Sequence, residues 1–70
     1  MQKLSKAATG RRYTIQWMFG VPEVMDFLRE HHVEEGDNIQ IIRKLKDALI
    51  VGVKGSRFAM GNEIADRIQV

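Results

Sequence analysis

The residues best suited to chemistry in this chain are two adjacent histidines in the stretch LREHHVEEGD. Imidazole nitrogens and carboxylate oxygens bind transition metals, and the candidate ligands here are His31, His32, Glu35 and Asp37. On a helix, however, neighbouring side chains point about 100° apart, and helical metal ligands stand three or four residues apart. Both histidines therefore cannot face one ion, and the spacing favours a helix end that carries histidines over a metal site.

This stretch is expected at the end of a helix that runs from about Val21 to His32. Pro22 suits the first turn of a helix, because the N–H that proline lacks would have no partner there. Gly36 lies in the polar turn EEGD, which follows the helix. The apolar residues at spacings of three and four predict the face that packs on the core. They are Val21, Val24, Met25 and Leu28.

Each histidine has a structural interpretation at this helix end. His32 stands where the chain must leave the helix with a left-handed φ, and histidine is one of the non-glycine residues enriched in that conformation. His31 is expected to pack its ring beside Val24 and Leu28, at the edge of the core, with one nitrogen in water. We therefore predict neither a resident metal ion nor another cofactor.

The remainder of the chain predicts short β-strands around a small core. RRYTIQW alternates in polarity, which places Tyr13, Ile15 and Trp17 inward and Met18 outward. NIQIIR, ALIVGVK and RFAM follow as strands, joined by the loop KLKD and a two-residue GS turn. GNEIA predicts a helical turn, and RIQV a last strand. About five short strands and one helix predict a mainly β, small closed barrel.

The GS turn also fixes a register for the last hairpin. It places Val53 opposite Phe58 and Val51 opposite Met60, so that all four side chains share one face. That face is expected to be buried in the core. The other face would carry Lys54 and Arg57 and a shallow spot at Gly52 and Ala59.

Length and composition exclude several classes of protein. Seventy residues make one domain, 1–70, and the absence of cysteine excludes disulfides and cysteine-based zinc sites. The longest apolar run, ALIVGV, is far shorter than the roughly 20 residues of a membrane helix. The first residues also lack the apolar run of a signal peptide. No catalytic triad or phosphate-binding glycine motif is present, so we predict no enzymatic activity.

Charge and apolar side chains together indicate a surface for a partner. The bases of the two hairpins would form one basic side, opposite an acidic helix, and would steer association with an acidic partner. Met18 and Phe19 would supply the apolar anchor, and exposure of Trp17 is the alternative to its core position. The predicted partner-binding residues are Met18, Phe19, Arg43, Lys44, Lys46, Lys54 and Arg57.

The order of these elements resembles the FeoA family, whose members are small cytosolic proteins of bacterial ferrous iron uptake. The resemblance rests on an ordered set of residues: an opening L-S-x-x-x-x-G, the helix end, an apolar ladder, a G-x-R-x-A segment and a closing turn. Three positions depart from the family pattern, namely His31, His32 and Glu35. The matching residues are Leu4, Ser5, Gly10, Leu28, Val33, Gly36, Ile39, Ile41, Val51, Val53, Gly55, Arg57, Ala59, Met60, Gly61, Ala65, Ile68 and Val70.

The resemblance implies an SH3-like barrel that acts as a non-catalytic accessory or adaptor protein. Its implied partner is a membrane ferrous iron transporter with a G-protein domain. The implied location is the cytoplasm, with the inner membrane reached through that partner. Two alternatives stay open: a metal-responsive, transition-metal-binding domain related to those of iron-dependent repressors, and a nucleic-acid-binding small barrel. The inward orientation predicted for the strand aromatics disfavours nucleic acid.

Overall fold

The computed structural model of the protein describes residues 1–70 and is mainly β. Six antiparallel strands form a four-stranded sheet in the order β1-β3-β4-β5 and a two-stranded sheet of β2 and β6. The strands are β1 (Arg12–Thr14), β2 (Trp17–Met18), β3 (Asn38–Lys44), β4 (Ala48–Val53), β5 (Ser56–Gly61) and β6 (Ile68–Gln69). The helices are α1 (Pro22–Glu30), α2 (Asn62–Ala65) and a 3₁₀ helix at Leu4–Lys6. The predicted mainly β fold with one longer helix is confirmed.

The two ends of the chain close the smaller sheet. Gln2 and Val70 exchange a pair of backbone hydrogen bonds, with N–O distances of 2.9 and 2.8 Å. Lys3 then bridges to Gln69 in β6. None of the three helices has the length and apolar character needed to cross a membrane.

The predicted first strand is broken at Ile15 and Gln16. The N–H of Ile15 donates to the carbonyl of Asp37 at 2.9 Å, whereas the N–H of Gln16 donates to the carbonyl of Gln69 at 2.8 Å. The chain thus leaves β3 and pairs with β6, which restarts the alternation of side chains. This change of partner makes six strands where about five were predicted.

The new pairing inverts the orientation predicted for Trp17 and Met18. Met18 lies opposite Ile68, which is fully buried, so Met18 faces the interior and is half-buried. Trp17 lies opposite Gln69 and is 51% exposed. The predictions of an inward Trp17 and an outward Met18 were therefore wrong.

The end of α1 confirms the prediction for His32, which has a φ of 57°. Its N–H donates to the carbonyl of Arg29 at 3.0 Å, and the N–H of Val33 donates to the carbonyl of Leu28 at 2.9 Å. This pair of bonds is a Schellman motif, in which a left-handed residue lets the chain satisfy the last carbonyls of a helix. Buried Leu28 and Val33 supply the apolar residues that accompany the motif.

The predicted apolar face of α1 is correct except at its first residue. Val24 and Leu28 are buried, and Met25 is half-buried. Val21 is 50% exposed, because it precedes the helix as the N-cap with an extended backbone. Its side chain therefore does not follow the helical periodicity.

The register predicted for the last hairpin was wrong by two residues. The turn consists of Lys54 and Gly55, with φ of 52° and 79°, and positive φ at both positions is the mark of a type I′ turn. The pairs along the hairpin are Val53–Ser56, Val51–Phe58 and Leu49–Met60. A shift of two preserves the face of every side chain because strands have a period of two. Val51, Val53 and Met60 are accordingly buried, whereas Phe58 is only half-buried.

The Lys54 side chain holds this turn against the loop that follows α1. Its Nζ lies 3.3 Å from Glu34 Oε2 and 3.3 Å from Asp37 Oδ2. The hydrogen bond to Glu34 is the largest of the effects that hold the pKa of Lys54 above its ordinary value. The turn residues are Lys54 and Gly55, one position before the predicted Gly55 and Ser56. The ion pairs of Lys54 stabilise the turn in this position.

The strained conformation of His32 yields a prediction of stability. His32→Gly is expected to leave the protein equally stable or to raise its free energy of unfolding by up to about 1 kcal/mol, because glycine adopts a left-handed φ without a steric penalty. Thermal melting measures the effect. The matched control is His31→Gly, which removes a packed ring at a φ of −92° and is expected to lower the melting temperature. A lower melting temperature for His32→Gly would show that its side chain is needed.

The ion pairs of Lys54 yield a prediction of pH dependence. Because the pKa of Lys54 is raised in the folded protein, its stabilising contribution is complete below its ordinary pKa of 10.5 and is lost as pH rises through the folded value. Lys54→Met should therefore be less stable than wild type at pH 7, with a difference that shrinks above pH 10.5. Lys46→Met is the control, because Lys46 is exposed and forms no ion pair. A Lys54→Met difference that stays constant up to pH 11.5, roughly one unit higher, would contradict this account.

Candidate functional site

The ring of His31 lies in an aromatic cluster. It stacks on Phe58 with ring centroids 4.1 Å apart and planes 14° apart, and its centroid is 4.5 Å from that of Phe27. Packing of the half-buried His31 at the edge of the core was predicted, but its aromatic neighbours, Phe27 and Phe58, were not. Phe27 stands four residues before His31, on the same side of the helix.

The other candidate metal ligands do not join His31 in one site. His32 and Glu35 line a groove of about 430 Å³ together with Met18 and Met25. Glu35 Oε2 accepts a hydrogen bond from the Met18 N–H at 3.2 Å. Asp37 accepts one from the N–H of Glu34 at 2.9 Å and pairs with Lys54. No three His, Asp or Glu side chains converge so that they could hold a metal ion.

Three exposed apolar residues stand at alternate positions immediately before α1, and we call them the aromatic patch: Trp17, Phe19 and Val21. Trp17 and Phe19 stack with centroids 4.8 Å apart and planes 27° apart. They are 51% and 37% exposed, and Val21 is 50% exposed. The guanidinium carbon of Arg67 lies 5.9 Å from the centre of the Phe19 ring, which places a cation beside the apolar surface.

The position of the aromatic patch follows from its local sequence. Gly20 lets the backbone before α1 pass close to the Val24 side chain. A Cβ at position 20 would lie only 2.9 Å from Cγ1 of Val24. Phe19 was predicted as an apolar anchor, whereas Trp17 was predicted in the core, with exposure as the alternative, and Val21 on the buried face of the helix. The period of two was the available signal, because residues 17 and 19 of an extended segment point to the same side.

The predicted basic side is divided between two ends of the sheet. Arg43, Lys44 and Lys46 lie at the hairpin between β3 and β4, whereas Lys54 and Arg57 lie at the hairpin between β4 and β5. Consecutive hairpins of an antiparallel sheet turn at opposite ends, and the six residues of β4 separate these ends by about 17 Å. The charge of Lys54 is also compensated by Glu34 and Asp37.

Comparisons with known proteins identify the family. The model of the FeoA domain matches residues 2–70. The crystal structure of an iron uptake regulatory protein (FeoA) is 25% identical, with a TM-score of 0.84 over 94% of this chain and 89% of that chain. The FeoA protein from Chlorobium tepidum is 23% identical, with a TM-score of 0.87 over 97% of this chain and 67% of that one. No curated protein sequence gives a significant match.

The same fold occurs in a larger protein. A manganese-dependent transcriptional repressor is 13% identical, with a TM-score of 0.87 over 96% of this chain and 39% of the repressor. At this identity the similarity shows the fold alone. The match to the FeoA domain over nearly the whole chain and the similarity to FeoA structures confirm the resemblance and the SH3-like barrel. The chain therefore belongs to the FeoA family, and this membership supports a role in ferrous iron transport.

Proposed function

We propose that this protein is a non-catalytic cytoplasmic adaptor that binds the cytosolic part of a membrane ferrous iron transporter through the aromatic patch. The observation that carries the proposal is the exposed, stacked pair of Trp17 and Phe19 beside Val21. The transporter, with its G-protein domain, is the partner implied by the FeoA family.

The concentration of exposed apolar side chains supports a protein partner. Five large apolar side chains are exposed in the whole chain, and three of them are the aromatic patch. A cluster of this kind on a small soluble domain is typical of an interaction surface. Tryptophan is also one of the residues most enriched among those that dominate binding energy.

The stacking within the aromatic patch favours binding in a second way. Association must offset the entropy lost when interface side chains become fixed, and a preorganised group loses less. The contact between Trp17 and Phe19 already restricts both rings in the free protein. The nearby Arg67 supplies the polar rim that surrounds the apolar centre of many interfaces.

The basic hairpin at Arg43, Lys44 and Lys46 would contribute to the rate of association. Exposed charges act over about 10 Å at moderate salt and orient an approaching partner. They contribute less to the lifetime of the complex than a buried apolar anchor does. The basic hairpin would thus set the rate of association, and the aromatic patch would set the affinity.

The two alternative functions have weaker support. A metal-responsive role would need ligands that converge, and the candidate ligands face different surroundings. The exposure of Trp17 removes the earlier reason for disfavouring nucleic acid. Proteins that bind single-stranded nucleic acid, however, combine aromatic side chains on which bases stack with a basic groove that follows the backbone. Here Trp17 lies in the two-stranded sheet, whereas Arg12 and Arg57, the unpaired arginines that line a groove, lie in the four-stranded sheet.

The proposal predicts the outcome of a binding experiment with the cytosolic domain of the transporter. Trp17→Ser and Phe19→Ser should each weaken binding at least about tenfold, mainly through faster dissociation, because each removes an apolar anchor. Surface plasmon resonance measures both rates. Leu45→Ser is the matched control: Leu45 is 43% exposed and lies between β3 and β4, outside the aromatic patch. Because this variant keeps the bases of that hairpin, it should change the affinity by less than about twofold.

Two further measurements, a salt series and a test of nucleic-acid binding, accompany this experiment. Raising the salt concentration should slow association and leave dissociation nearly unchanged. A single-stranded oligonucleotide in place of the transporter domain should give no binding that depends on Trp17. The proposal is wrong if both serine variants fold normally and bind the transporter domain as tightly as the wild type.

A further inference from the structure

A second groove, of about 320 Å³, lies on the outer face of the four-stranded sheet. One row of directly paired residues crosses it: Arg12 pairs with Gln40, Gln40 with Gly52, and Gly52 with Arg57. Directly opposite residues point to the same face of a sheet, so this row begins and ends with an arginine. We call it the arginine groove.

The floor of the arginine groove is open because Gly52 has no side chain. A β-bulge between Ile41 and Arg43 inserts Ile42, whose Cδ1 lies 3.3 Å from the position that a Cβ of residue 52 would take. Any side chain at position 52 would press on Ile42. The half-buried Ile42 therefore forms an apolar wall beside a bare stretch of backbone.

The two arginines of the groove have no acidic partner in the protein. Arg12 and Arg57 are exposed, and neither takes part in an ion pair. Glu34 and Asp37, the acids at the nearby turn, bind Lys54 instead. Both guanidinium groups are therefore available to an external anion, and Arg is well suited to carboxylates because its planar fork can form two parallel hydrogen bonds.

The dimensions of the groove select the form of that anion. The backbones of β1 and β5 are separated by three strand spacings of about 4.8 Å, or about 14 Å in all, which is wider than one small ion. No aromatic side chain lines the groove, so it offers no surface on which nucleic-acid bases could stack. A chain with several carboxylates and an apolar side chain fits both the width and the wall.

We propose that the arginine groove binds an extended acidic segment of a partner protein. Its carboxylates would pair with Arg12 and Arg57, and an apolar side chain would pack on Ile42 above Gly52. The groove uses no residue of the aromatic patch, so it adds a second contact of different chemistry. Its failure to bind would leave docking through Trp17 and Phe19 untouched.

The test uses the full chain and a fluorescein-labelled ten-residue peptide that carries four glutamates around a central leucine. Fluorescence anisotropy is expected to show binding that Arg12→Gln and Arg57→Gln each weaken about fivefold, and the double variant about twentyfold. Arg11→Gln is the matched control, because Arg11 is exposed and adjacent but does not line the groove. It should change the affinity by less than about twofold.

Two further arms distinguish the proposed occupant from other anions. Inorganic phosphate and a single-stranded oligonucleotide of the same charge as the peptide should displace the peptide only weakly. Replacing the central leucine of the peptide by serine should weaken binding about threefold if it packs on Ile42. Equal effects of Arg11→Gln and Arg12→Gln, or equal displacement by the oligonucleotide, would overturn the proposal.

Discussion

Fourteen side chains fill the core of this barrel, and none of them is aromatic, polar or charged. A chain of 70 residues can enclose only a small interior, and the buried residues are aliphatic except for one methionine. All five aromatic residues are therefore placed at its margin or outside it. They are Tyr13, Trp17, Phe19, Phe27 and Phe58.

This exclusion of aromatics from the core gives the molecule its two ring clusters. Phe27 and Phe58 enclose His31 and cover one edge of the core. Trp17 and Phe19 stack on each other with no comparable cover. The first cluster stabilises the fold, whereas the second leaves apolar area in water and thereby favours a partner that would bury it.

Two non-glycine residues with left-handed backbones lie at turns that are joined by ion pairs. His32 and Lys54 have φ of 57° and 52°. His32 ends α1 and leads directly into the loop that carries Glu34 and Asp37, and those two acids bind Lys54. Arg12 and Arg57, on the same sheet as Lys54, take part in no ion pair. The left-handed residues at the two turns therefore bring the acidic loop and Lys54 together, and the excess positive charge of the outer face rests on the two arginines.

The sequence predicted those features that depend on neighbouring residues. The left-handed end of the helix at His32 follows from local spacing. The buried face of the last hairpin was predicted correctly although the register was wrong by two, because side chains in a strand alternate with a period of two. The outward orientation of Trp17 could not be predicted in this way, since it follows from the exchange of β3 for β6 as pairing partner. The sequence also predicted bases and a shallow spot at Gly52 on the outer face, but it did not predict the arginine groove. Its row joins residues 12, 40, 52 and 57, which only the sheet brings together.

The central claim is that Trp17 becomes buried when the adaptor binds its transporter. The chain contains a single tryptophan, so the protein labelled with 5-fluorotryptophan gives one ¹⁹F resonance that reports on this ring alone, even if the partner has tryptophans of its own. We predict that titration with the unlabelled cytosolic domain shifts this resonance from its solvent-exposed position and protects the ring from a soluble paramagnetic quencher. Formation of the complex with an unshifted, fully quenchable resonance would contradict the account.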